Sequence, residues 1–135
     1  MSMKTYQPYA EFTAQSKTVS ALMSMYTFVQ RNPDIRIEFT PIIVFLAFAI
    51  ESYLNSIGAR QLEIWDELER LPWKAKVAIL HKTAGRSIDW GKDPLQFGVE
   101  VFTIRDKLAH GKPERILGPV TNSQDEADRF PTQEL

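Results

Sequence analysis

The sequence predicts an all-α domain, and three observations predict it. Apolar residues recur at three- and four-residue spacing through most of the chain, proline and glycine fall between those runs, and no segment alternates as a half-buried strand would. With 135 residues, 44% of them hydrophobic, the chain fits one domain with one core. The expected organisation is a bundle of four main helices over residues 1–113, with one short extra helix and short connections. An irregular acidic tail follows over residues 114–135.

From Glu11 to Gln30, Phe12, Val19, Leu22, Met23, Tyr26 and Val29 mark one amphipathic face, and "RNPD" ends the run because proline disfavours helix in the residue before it. The second helix is expected from Phe39 to Ile57, with Pro41 in its first turn and Gly58 just past its end. Its middle, "IIVFLAFAI", is apolar on all sides, which implies burial on more than one side, either as a central helix or against a partner chain. "RQLEIWDELERL" suits a short helix, and Pro72 opens another through Thr83 that carries Trp73, Val77 and Leu80. "AGRSIDWGKDP" reads as a loop, with Trp65, Trp73 and Trp90 as core and loop anchors. The last helix begins near Pro94 and is expected to face the core through Phe97, Val101, Ile104 and Leu108. Tyr53 is expected in the core.

Composition excludes several kinds of chemistry. Without cysteine there is no disulfide, thiolate metal site or cysteine nucleophile, which is compatible with a reducing cytosol. Two histidines, with no His-x3-His or HExxH spacing, do not support a metal centre, and no cofactor loop is present. The start, "MSMKTYQPYAEF", does not read as a secretory leader, and the apolar stretch reaches Glu51 and Asn55 short of the roughly 20 apolar residues a membrane span needs. The expectation is a soluble, cytoplasmic protein. Net charge is −1, but residues 72–115 hold nine basic and five acidic side chains, a local +4 that favours phosphates modestly.

One stretch concentrates possible chemistry: "IRDKLAHGKP", residues 104–113. Asp106 and His110 are four apart on one helix face, so the carboxylate can reach the imidazole and raise its affinity for a proton. The helix ends near Gly111, where the dipole also favours imidazolium. Arg105 lies about 140° from His110 on an ideal helix, so the two converge only at a distorted helix end or between two copies of the chain. Gly98, Val99, Phe102, Thr103 and Ala109 offer a small or apolar surface for such a copy, with Phe102, Val99 and Ala109 as candidate dimer contacts. The alternative is a solvated helix cap with no function. Glu51 and Asn55 share a face, either as a buried group needing a partner such as Arg105 or as a polar surface stripe. His81 reads as a packed or surface histidine.

"IRDKLAHGKP" resembles the R-x4-6-H motif of HEPN domains, "FLAFAIESYLN" looks like their second helix, and "LPWKAKVAIL" resembles the segment leading to the motif. The resemblance covers about residues 10–113 as helix order and one short motif. It implies an up-and-down four-helix bundle, a homodimer, and a metal-independent RNA endonuclease with no cofactor, acting as a toxin or antiviral effector. Arg105 would bind the scissile phosphate, His110 would be general base or acid, and Asp106 would orient the pair. Lys107 and Lys112, with Glu51 and Asn55, would be further substrate contacts. An antitoxin or regulatory protein is the implied partner. HEPN toxins paired with a nucleotidyltransferase antitoxin carry tyrosine two residues after the histidine, where Lys112 stands here. That mode of neutralisation is therefore not carried over. The other reading is a non-catalytic HEPN-like module that binds nucleotide, nucleic acid or protein.

Overall fold

The protein is described by a computed structural model for residues 4–36, 38–113, 115 and 117–124. Among the described residues there are five helices, α1 (Ala14–Arg31), α2 (Thr40–Gln61), α3 (Trp65–Leu68), α4 (Trp73–Thr83) and α5 (Leu95–His110), and no strand. The all-α expectation therefore holds. Much of the tail, 114, 116 and 125–135, lies outside the described residues.

Local chemistry sets the boundaries. Thr13 caps α1, its Oγ1 accepting from the Ser16 amide at 3.4 Å, and Asn32 Nδ2 closes the other end on the Phe28 carbonyl at 2.8 Å. Glu38 accepts from both the hydroxyl and the amide of Thr40 at the start of α2, and these bonds hold its carboxyl below the ordinary carboxylate range. α4 ends in a Schellman motif: Arg86 N–H reaches the His81 carbonyl at 2.9 Å, Gly85 N–H reaches Lys82 at 3.1 Å, and Gly85 takes φ +67°. An added Cβ at Gly85 meets no neighbour, so the cost of Gly85→Ala is purely conformational. It is expected to be about 1 kcal/mol by urea denaturation.

α2 is the centre, and α1, α3, α4 and α5 each pack against it. α2 does not stop before Gly58 as expected; it continues to Gln61 with Gly58 buried inside it. The reason is Trp65, delivered by the single turn of α3: a Cβ on Gly58 would fall within the indole ring. Trp65 Nε1 also donates to Asn55 Oδ1 at 3.3 Å. On the other side, Thr18 and Ser52 hydroxyls meet at 3.2 Å between α1 and α2. Thr18, Leu22, Met25 and Val29 are the more covered residues of α1, whereas Val19, Met23 and Tyr26 of the expected stripe are exposed. Phe12 precedes the helix and is also exposed.

The core proper lies between α2, α4 and α5: Ala47, Leu54, Trp73, Val77, Val101 and Phe102. Phe102 and Trp73 stack at 4.4 Å between centroids and 10° between planes, and Trp90 meets Trp73 edge-on at 5.6 Å. This stack overturns the expected facing of α5. Phe97, Ile104 and Leu108 are 41–50% exposed, and only Val101 of that stripe is buried. Phe102, at 1% exposure, faces inward and is unavailable as a dimer contact; Val99 is half-buried against the core, and Ala109 is exposed. Tyr53 is exposed as well, contrary to expectation.

α2 has 22 residues and a mean hydropathy of 1.7 over an 18-residue window, so length and composition alone would allow it to cross a bilayer despite Glu51 and Asn55. Both polar side chains are satisfied within the chain: Asn55 by Trp65, and Glu51 by Lys76.

Candidate functional site at Arg105

Arg105 lies near the end of α5, one turn beyond Phe102. Its guanidinium carbon sits 5.2 Å from the Phe102 ring centroid, a cation–π contact that fixes the side chain against the aromatic stack. The side chain is 28% exposed, and Nε is buried. Asp106 Oδ1 lies 2.9 Å from Nε, close enough for an ion pair by distance. The Nε–H nevertheless does not point at the oxygen, so Nε makes no hydrogen bond. Nε is thus a buried donor whose hydrogen bond is unmade, on a guanidinium whose charge is already partly matched by Asp106.

A cavity of about 440 Å³ opens beside it. Its wall includes Arg105, Asp106 and Thr103 of α5, Glu51 of α2, and Arg70 through Lys74 at the start of α4. Glu51 was a candidate partner for Arg105; the partner it has is Lys76, with Nζ 3.3 Å from Oε1. Lys76 is 1% exposed and Glu51 34%, so the pair joins a buried cation to a carboxylate at the cavity wall. Asn55 is not in that wall, and its side-chain carbonyl serves Trp65.

His110 is exposed at the last position of α5, outside the cavity wall, and makes no hydrogen bond or ion pair within the described residues. The expected Asp106–His110 contact is absent because Asp106 turns toward Arg105 instead. One chain therefore brings together Arg105, Asp106 and Glu51 but leaves His110 apart. Lys107 and Lys112 are exposed near the same helix end. His81 is packed: Nδ1 lies 2.9 Å from the Val77 carbonyl, which can only accept, so Nδ1 carries the proton. Among the described residues no three His, Asp or Glu side chains are placed to hold a metal.

Sequence reasoning missed Lys76, Arg70 and Lys74. The only signal for Lys74 was the local positive charge of residues 72–115; nothing pointed to Arg70, and nothing marked Lys76 as buried. No protein-family model matches the chain, and neither a curated protein nor a solved structure matches it.

Proposed function

We propose that the chain is a metal-independent RNA endonuclease of HEPN type that works as a homodimer in the cytoplasm, in a toxin or antiviral role. The observation that supports this reading best is Arg105: a partly buried guanidinium in cation–π contact with Phe102, with an unused Nε donor, at a cavity wall and five residues before the histidine of the same helix. Arg105 would grip the scissile phosphate and stabilise the charge that grows on it. His110, supplied by the second chain, would take the proton of the ribose 2′-hydroxyl as that oxygen attacks phosphorus. The other His110 would protonate the departing 5′-oxygen, leaving a 2′,3′-cyclic phosphate and a 5′-hydroxyl. Asp106 keeps Arg105 aligned. Two copies are required because about 140° of helix rotation separates Arg105 from His110 in one.

The second reading is a non-catalytic module that binds nucleotide, nucleic acid or protein. It is favoured by the placement of His110 outside the cavity, with no partner to hold one tautomer.

The test is incubation of wild type, Arg105→Ala and His110→Ala with a mixed RNA pool in EDTA, with analysis of fragment ends. Each substitution is expected to lower cleavage by about 10²–10⁴-fold while the fold survives, since both side chains lie outside the aromatic core. Cleavage by neither wild type nor variants, from chains shown to be dimeric, would favour the binding module.

A further inference from the structure

We propose that the cavity beside Arg105 is a phosphate-ester subsite formed within a single chain, with Arg70 and Arg105 as its grip and Lys74 at its rim. Neither Arg70 nor Lys74 belongs to the R-x4-6-H motif, and the subsite does not need His110. Only the identification of the ester as part of an RNA strand rests on the reading above.

Charge is the first argument. The wall carries Arg70, Lys74 and Arg105 against Glu51 and Asp106, and Glu51 is paired with the buried Lys76, which is not itself in the wall. With Lys76, four cations stand against two carboxylates, each of which already lies beside a cation. The remaining charge of +2 favours an anion.

Unused donors are the second argument. Arg70 is exposed and makes no hydrogen bond or ion pair within the described residues, and Arg105, although beside Asp106, makes no hydrogen bond through Nε. Two guanidinium forks on one concave wall match the oxygens of a phosphate better than they match water alone. Lys74 contributes from the side: its ammonium rests 5.4 Å from the Trp90 ring centroid and its stem borders the cavity. The amino end of α4, where no side chain caps the first turn, borders the same space and adds the positive end of its dipole.

Shape is the third. About 440 Å³ exceeds what one phosphate needs and leaves room for an attached sugar or base against the apolar Trp73 and Val99.

The experiment is equilibrium binding of a fluorescent 2′-O-methyl RNA decamer, which cannot be cleaved by 2′-hydroxyl attack, with inorganic phosphate and a 5′-mononucleotide as separate ligands. Wild type, Arg70→Ala, Arg105→Ala and the control Lys17→Ala on α1 are compared, with circular dichroism to confirm folding. Arg70→Ala and Arg105→Ala are expected to weaken decamer binding about tenfold each, while Lys17→Ala binds as wild type. Each arginine removed is expected to lower the slope of log K against log salt by about 0.7. Equal affinity in all four proteins, or no ligand bound by wild type at millimolar concentration, overturns the subsite. Arg70-dependent binding of phosphate or mononucleotide without decamer binding upholds the subsite and removes RNA as its source. Arg70-dependent decamer binding by a protein that cuts no RNA upholds the subsite while the nuclease reading fails.

Discussion

Glu51→Ala is expected to destabilise the protein by about 3 kcal/mol, because it leaves the Lys76 ammonium buried without the anionic partner it has among the described residues. The two partners are not equivalent. Lys76 is 1% exposed, whereas Glu51 is 34% exposed at the cavity wall, so an orphaned Glu51 rehydrates and an orphaned Lys76 does not. Lys76→Met, which keeps the buried volume, is accordingly expected to stay within about 1 kcal/mol of wild type. Urea denaturation of both variants checks this, and the Glu51→Ala loss corresponds to a melting temperature lower by roughly 10 °C. Equal losses for the two substitutions would show that burial does not govern the pair.

Gly58→Ala is the second large effect, expected at about 3 kcal/mol. In an exposed helix interior the same exchange stabilises by roughly 0.5–1 kcal/mol, since glycine has the greater conformational freedom to lose. Here the new methyl group would occupy the Trp65 ring, so either the indole leaves its pocket, losing the Asn55 bond, or α3 lifts away from α2. A double-mutant cycle separates the terms. In a Trp65→Ala background the obstruction is gone, and Gly58→Ala is expected to become neutral or stabilising. A loss of the same size in both backgrounds would mean that Trp65 is not the obstacle.

These effects also show how far the sequence could be read. The helices were legible because their ends are written in short-range chemistry: Pro41 in the first turn of α2, Pro72 ahead of α4, and Gly85 in the loop that follows it. Which face of α5 turns inward was not. Phe97, Val101, Ile104 and Leu108 form one stripe, and Gly98, Val101, Phe102 and Arg105 form another beside it. Periodicity accepts both, and the choice is made by Trp73, which stacks on Phe102 and lies against Gly98. Gly58 looked like a terminator because the sequence does not say that a tryptophan seven residues later folds back onto it. At the site, Arg105, Asp106 and Glu51 were legible as candidates, but the partner of Glu51 was not. Lysine in a periodic helix ordinarily reads as solvated, and the pairing of Lys76 with Glu51 spans 25 positions in sequence. A still longer separation, from Glu51 to Asp106, hides the cavity, which α2, α4 and α5 build together.

α1 buries none of its residues, and its main packing is against α2, through contacts such as Thr18 with Ser52. Releasing it would therefore leave the Trp73–Phe102 stack intact. α1 is thus expected to open at a lower free energy than the core, and the Arg105 cavity, walled by α2, α4 and α5, does not depend on it.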